Sequence, residues 1–372
     1  MANTKISALT SVTSLAGTDT FPVVQGTAPN LTTKKATIND ILAFEPPGFK
    51  NLLHNGNFSV DQRATNPHAY SISSNFQIFA DRWMTTTTNN VIGQIISGSG
   101  TSRYNYRITS ASATGTFFLG QRIESLNIGH LVGSAVTLQL KVSATTLTSL
   151  TYTVSVPNSG MDTFGTYASP SKTTVVTGTI PLTTSLTRNT VTFTLPAAAI
   201  YGLEIMFSAT GMTTASSFTI ADVQLEAGSI ATSFETRPYQ TELALCQRYL
   251  GGFTTATYDS SGVTGAHEVG NGYSITSTSS IINIPFAVPL RRRSTAIVVP
   301  SSLAYTTLYN GSNTTGTPIG IAFLNGGKMT GQVTVSTTAG SPTLTAGQGA
   351  HMVMNNAISA QYILFTGAEM LE

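Results

Sequence analysis

Tyr104 and Tyr106 stand two residues apart in the run Ser-Arg-Tyr-Asn-Tyr-Arg, with Arg103 directly before them. In a strand, residues i and i+2 share one face. Two phenol rings on an outward face, beside a guanidinium, would stack on a sugar ring and donate to its hydroxyls. Arg103, Tyr104 and Tyr106 are therefore the candidate ligand-binding residues. Trp83, the only tryptophan, has Phe79 and Met84 as neighbours and reads as core rather than as a stacking platform.

Catalysis has thin support in the residues. Glycoside hydrolysis needs two carboxyl groups roughly 5–10 Å apart. Glu124, Asp162, Glu204 and Glu268 are scattered, and their spacing brings no two together. His267-Glu268 lacks the second histidine of a zinc helix. Neither a Gly-x-Ser-x-Gly elbow nor a phosphate-binding loop is present. Catalytic residues are expected to be none. Arg291-Arg292-Arg293 is the one basic cluster; it could meet phosphate, but a structural or interface role accounts for it more simply.

These residues need a scaffold, and the stretch Thr219–Leu250 organises it. Ile220, Asp222/Val223 and Leu225 alternate as in a half-buried strand. Ala227-Gly228-Ser229 breaks it, and an irregular segment runs to Pro238. Leu243, Cys246 and Leu250 then recur at helical spacing, and are expected to form a buried interface face. Thr241 is placed to cap that helix and Gly251-Gly252 to stop it. Runs such as AVTLQLKVSA, LTYTVSV, NTVTFTLP and YGLEIMFSAT predict a sandwich of roughly eight to ten strands. Asn55-Gly56 predicts a tight turn near its start. SIINIPFAVP, TAIVVP and QYILFTGAEML predict strands beyond the helix, with Ile281–Val288 central or interfacial.

Ahead of the sandwich, Phe21-Pro22-Val23-Val24 reads as an edge strand, and Thr37–Phe44 as a short helix capped by Thr37. The expected fold class is all-β. Residues 1–48 form an N-terminal arm, 49–237 a β-sandwich, 238–252 a linking helix and 253–372 a C-terminal β-rich domain.

QLEAGSIATSFETRPYQTELALCQRYL resembles a motif of phage tail-fibre and related virion surface proteins, over roughly thirty positions. The arm is similar to their attachment segments, in KIS-x-L, DTFPVVQ and TKKAT-x-x-DI. NLLHNGNF resembles the opening of jelly-roll carbohydrate-binding modules. The resemblance implies a virion structural protein, a tail fibre or tail spike. It would be a homotrimer, joined to other tail or adaptor proteins through residues 1–48 and bound to host cell-surface polysaccharide. It also implies a jelly roll for the sandwich, and a structural calcium between first and last strands, with Asp222 and Asn57 as ligands; Ser59 stands where the usual acidic residue would be. The alternatives are a polysaccharide depolymerase on the tail, or a head decoration or collar protein with only an assembly role.

Composition agrees with an all-β chain and excludes some classes. Of 372 residues only 9% are charged, and the net charge is +2, against roughly 25% charged in ordinary soluble domains. That balance gives no electrostatic case for nucleic acid. The single cysteine, Cys246, permits no intrachain disulfide and reads as a buried thiol. No run approaches a membrane span of roughly 18 apolar residues, and MANTKISALT has no apolar core of signal-peptide length. Synthesis in a host cytoplasm and residence on the virion are the expectation.

Overall fold

Threonine alternating with aliphatic residues sets the architecture, because β-branched side chains favour the pleated strand and alternate across it. The structure is a computed structural model that describes residues 19–25, 32–37, 49–63, 69–72, 77–78, 80–88, 91–98, 102–110, 115–214, 216–254, 266–299, 303, 306–310, 314–316, 318–338, 344–355 and 362–370. β1 (Thr20–Gln25) contains the expected Phe21–Val24 run and pairs with β2 (Thr32–Thr37) as an antiparallel hairpin. Thr37 is thus the last residue of a strand rather than a helix cap; the remainder of the predicted Thr37–Phe44 helix lies outside the described residues.

A β-sandwich follows. Its strands are β3 (Ala69–Ile72), β4 (Gln77–Ile78), β5 (Met84–Thr87), β6 (Val91–Ser97), β7 (Tyr104–Ser110) and β8 (Gly115–Ile123). After a one-turn helix, α1 (Ser125–Ile128), come β9 (Ala135–Ala144), β10 (Ser149–Pro157), β11 (Lys172–Pro181), β12 (Thr187–Thr194), β13 (Leu203–Met212) and β14 (Ser217–Ala227). One sheet has the order β11-β10-β13-β8-β5-β4 and the other β12-β9-β14-β7-β6-β3. Among the described residues, twelve strands rather than eight to ten make up this jelly-roll-like sandwich, because β3, β4 and β6 carry no clear alternation of their own. Leu150, Tyr152 and Val154 of β10 face Leu138, Leu140 and Val142 of β9 across one shared core. Trp83 lies in that core, 1% exposed, with Phe58 at 5.1 Å between ring centroids. Its Nε1 donates to Asn55 O at 2.8 Å.

The seam of the sandwich is polar. The chain from Asn51 to Gly56 runs beside β14, with Leu52 N donating to Leu225 O at 2.8 Å and Val223 N to Gly56 O at 2.9 Å. A Cβ on Gly56 would sit 2.1 Å from Val223 O, so only glycine allows this approach. Beyond β14, the irregular segment turns back over the seam. Asn51 N donates to Glu235 Oε2 at 2.7 Å, and Asn55 N donates to Glu242 Oε1 at 2.5 Å. Arg237 pairs with both carboxylates, at 3.1 Å to Glu235 and 3.4 Å to Glu242, and donates to the backbone oxygens of Asn51 and Leu53.

α2 (Tyr239–Gln247) follows Pro238, so Thr241 falls inside it and no side chain caps its start. Its buried residues are Glu242 and Cys246; Leu250, just past it, is also buried, whereas Leu243 is only half-buried. The expected Leu243–Cys246–Leu250 face is therefore rotated toward Glu242, because the bond from Asn55 N draws that carboxylate inward. β15 (Gly251–Thr254), β16 (Ala266–Thr276), β17 (Ser279–Pro285), β18 (Ala296–Val298), β19 (Thr306–Asn310), β20 (Thr314–Gly316), β21 (Pro318–Gly326), β22 (Thr330–Thr337), β23 (Gly349–Asn355) and β24 (Tyr362–Thr366) complete the fold. They form a three-stranded sheet, β15-β24-β18, and a seven-stranded sheet, β20-β19-β23-β16-β17-β22-β21. Phe253, Phe286, Ile282, Val333 and Phe365 pack in a second core. The apolar run from Ile281 lies in β17, an interior strand.

Ion pairs join this second unit to the sandwich. Arg63 bridges Asp81, at 3.3 Å, and Glu369. Arg122, 1% exposed, pairs with Glu204 at 2.8 Å and donates to Met370 O at 2.6 Å. Glu124 receives Arg248 at 2.9 Å and the Tyr249 hydroxyl at 2.5 Å. Burial pushes the Glu124 carboxyl up, but those bonds outweigh it and hold it below its ordinary value. Arg291 of the basic cluster donates to Ala368 O and pairs with Asp162 at 3.6 Å, a structural role.

Two outcomes are expected. Arg237→Ala strands two buried carboxylates and should cost about 3–5 kcal/mol in urea unfolding. Burial raises the Asp81 carboxyl to about 6, against the partial opposition of Arg63. Its protonated form therefore favours the folded state, and the contribution of Asp81 to stability falls as pH rises from about 4 through about 6, by about 3 kcal/mol. Asp81→Asn should flatten that fall when unfolding free energies of the two proteins are compared across this range.

Candidate functional site

β9 presents Leu138, Leu140 and Val142 to the core, so Gln139 and Lys141 point to the sheet's outer face. Arg188 of β12 lies opposite Lys141 in register, and Asp222 lies on the other side, in β14. The pairing of β14 with β9 shifts register between Ala221 and Gln224, and Asp222 has φ 49°. This bulge keeps Ile220, Val223 and Leu225 all inward while turning Asp222 out. The irregular segment after β14 covers part of the same face and supplies Ser233, Phe234 and Thr236. Together these seven residues line a groove of about 310 Å³.

The groove is ordered by polar bonds. Lys141 Nζ lies 2.6 Å from Asp222 Oδ2, and Ser102 Oγ donates to the same oxygen at 2.6 Å. Arg188 Nε donates to Gln139 Oε1 at 2.7 Å, and Gln139 Nε2 to Thr232 O at 3.0 Å. Thr232 is itself held by Glu226, which accepts from its N at 2.9 Å and its Oγ1 at 2.5 Å. Glu235 N donates to Gln224 Oε1 at 2.7 Å. The wall is thus tied to buried Gln224 and Glu226 of β14 at one end and to Arg237 at the other.

The lining offers two cationic groups, hydroxyls and a phenyl ring, while the Gln139 amide is bonded at both ends. Such a set recognises a polyhydroxylated ligand by paired donors and acceptors. Asp222 is the one carboxylate in the lining, and it is neutralised by Lys141. Glu226 is 2% exposed and occupied by Thr232. The two flanking carboxylates of a glycosidase are not assembled there.

The residues singled out in the sequence fall elsewhere. Tyr106 is fully buried and stacks on Phe58 at 5.5 Å; it is core, not a sugar platform. Tyr104 is half-buried against the same core, with Arg103 over its ring at 5.5 Å. The two tyrosines do share a face, as the spacing required, but that face points inward. Cys246 is 1% exposed, and burial pushes its thiol well up. Asn57 and Asp222 do not fit the calcium that the jelly-roll resemblance implies. Asp222 Oδ2 is held by an ammonium and a hydroxyl, Asn57 Oδ1 accepts from Ser59 N at 3.3 Å, and no three His, Cys, Asp or Glu side chains converge among the described residues. Gln139 and Lys141 were legible as the outward positions of a clean alternation. Arg188, Ser233, Phe234 and Thr236 had no comparable signal, since the first depends on the pairing of β12 with β9 and the others on how the irregular segment folds back.

No protein-family model and no curated protein sequence matches the chain. Among solved structures, the carbohydrate-binding module TmCBM61 in complex with β-1,4-galactotriose is similar at 13% identity and TM-score 0.31, over 48% of this chain and 99% of that one. The CBM22-1–GH10 modules of the Clostridium thermocellum endo-1,4-β-D-xylanase 10B, complexed with xylohexaose, give 13% and 0.31, over 48% of this chain and 29% of that one. The enzymatically active domain of Bacteriophage CBA120 tailspike protein 4 gives 15% and 0.30, over 48% and 21%.

Proposed function

We propose that this chain is a non-enzymatic bacteriophage virion protein, a tail fibre or tail spike, that binds host surface glycan in the groove between Arg188, Asp222 and Phe234. The groove carries the reading. It is built on a rigid sheet, its donors and acceptors are fixed by buried partners, and its lining holds one neutralised carboxylate. The tail-fibre-like motif supports the virion assignment, and its residues Gln224, Glu226, Glu235 and Arg237 are those that hold the groove's wall. In this reading residues 1–48 dock on the particle, and the chain acts as a homotrimer. Weak single-site contacts then gain strength across copies, because each later binding event is intramolecular. Among the described residues no helix is long and apolar enough to cross a membrane.

Arg188 is exposed, and its removal leaves the core untouched. Arg188→Ala should weaken saturable binding to host cells by about tenfold, the loss of one or two charge-assisted hydrogen bonds, with unchanged melting and no new reducing ends in the glycan for either protein. Undiminished binding would remove the groove from the recognition surface; new reducing ends would make the protein a depolymerase. Deleting residues 1–48 should leave cell binding and melting intact and abolish incorporation into particles, scored by immunoblot of purified virions. Normal incorporation would refute the docking role.

A further inference from the structure

We infer that the outer face of the seven-stranded sheet is a second binding surface, for an uncharged polysaccharide chain. The inference goes beyond the groove and stands on different residues. A single transverse row crosses six of the strands. Tyr309 lies opposite His351, His351 opposite Asn271, Asn271 opposite Asn283, Asn283 opposite Gln332, and Gln332 opposite Asn325. The residues on either side of this row along the strands, Leu308, Met352, Ile282, Ile284 and Val333, are buried in the second core. Strand alternation therefore turns the row to the opposite face. At about 4.8 Å between strands, six strands carry it over about 24 Å.

Its chemistry is uniform. Tyr309 and His351 stack face against face, at 4.7 Å between centroids with 4° between planes, and form a paired-ring contact at the end of the row. Four side-chain amides continue from it. Gln332 Nε2 donates to Asn283 Oδ1 at 2.7 Å, and Asn283 Nδ2 to Asn271 O at 3.3 Å, so two of the amides are pre-oriented. The Asn271 amide and Gln332 Oε1 have no protein partner among the described residues. Tyr273, 48% exposed, adds a ring beside the row, two residues along β16 from Asn271.

Each open amide offers donors and an acceptor side by side, which is what vicinal hydroxyls require. Asp, Glu, Lys and Arg are absent from the row, so it offers no carboxylate, ammonium or guanidinium to pair with a charged polymer. A second copy of the chain is the poorer occupant. Burying the row against another protein surface would strand amide groups that a sugar chain can satisfy, and each stranded group is costly.

The test is affinity electrophoresis of the full chain through gels containing dextran, mannan, galactan or xylan, with polygalacturonate as the charged counterpart. At least one uncharged polymer should retard the wild-type protein. Tyr309→Ala/Gln332→Ala should weaken that retardation by about tenfold or more, for loss of a ring contact and an amide contact, whereas Leu126→Ala, an exposed change in α1 outside both the groove and the row, should leave it unchanged; Arg188→Ala reports on the groove. The exposed single change Asn271→Glu, which places a charge in the row without touching the core, should give the same loss and covers the case in which the double variant melts early. Absence of retardation by every uncharged polymer overturns the inference, as does retention that survives both row variants or stronger retention by polygalacturonate. Loss in Arg188→Ala alone assigns that retention to the groove and overturns the row. Loss in the row variants alone, with host-cell binding unaffected by Arg188→Ala, upholds the row while the groove reading fails. Sedimentation closes the remaining case: if the row variants turn an oligomer into a monomer, the face belongs to a second copy.

Discussion

One buried arginine holds the entry and exit of the sandwich together. Arg237 serves two carboxylates, Glu235 and Glu242, and two backbone carbonyls at once. The side chains alone leave this cluster one negative charge in excess, which low-dielectric surroundings would not tolerate unaided. Two backbone N–H groups make up the difference: Asn51 donates to Glu235, and Asn55 donates to Glu242. Asn55 reaches that position with φ 54°, a conformation asparagine tolerates better than most residues. Burial still raises the Glu242 carboxyl above its ordinary value, against the bonds from Asn55 and Arg237. The cluster thus dictates the path of the chain before and after the sandwich, and it works only when both segments are in place.

The same cluster reaches the groove. Arg237 fixes Glu235, Glu235 N is fixed by Gln224, and Thr232 is fixed by Glu226. Residues 228–238 therefore lie as a strap over the outer face of β9, and they cover it well enough that Thr137 and Gln139 are buried although they point away from the core. The strap has no repetitive structure, yet it is held at several points along its length. The segment is thus positioned by its bonds to β14 and Arg237 rather than by repetitive structure of its own.

How much of this was legible follows from which forces were local. The alternation of β9, β10 and β13 is a local signal, and it located strands and inward faces. The slip from Ile220 to Val223 to Leu225 was also visible, and the bulge at Asp222 is its cause. The helix after Pro238 was found, but its buried face was misjudged because apolar spacing alone says nothing of a carboxylate drawn inward by a remote backbone N–H. Tyr104 and Tyr106 show the same limit: spacing put them on one face, and only the packing of Phe58 decided which. The groove was the least legible part, since four of its seven lining residues come from β12 and the strap, with no periodicity to connect them to β9.

The low charge content of the chain takes on a different meaning once its charges are located. Arg63, Asp81 and Glu369, Arg122, Glu204 and Lys172, Arg237, Glu235 and Glu242, Arg248 and Glu124, and Arg291 and Asp162 all pair within the molecule, most of them at joints between segments distant in sequence. Buried pairs of this kind add little net stability over apolar packing, but losing one partner is costly, so they penalise every wrong docking of the same segments. Hydroxyls and amides, with a minority of charged groups such as Arg107, Arg188 and Lys328, are left to make the outward faces. A surface of that composition has weak long-range fields, so association gains little from steering and depends on short-range fit. Short-range fit to a flexible, hydroxyl-rich ligand is weak at any one site, and it becomes useful when rigid joints hold several such faces in a constant relation. The internal ion pairs and an exterior poor in charge are, on this view, two sides of one design constraint.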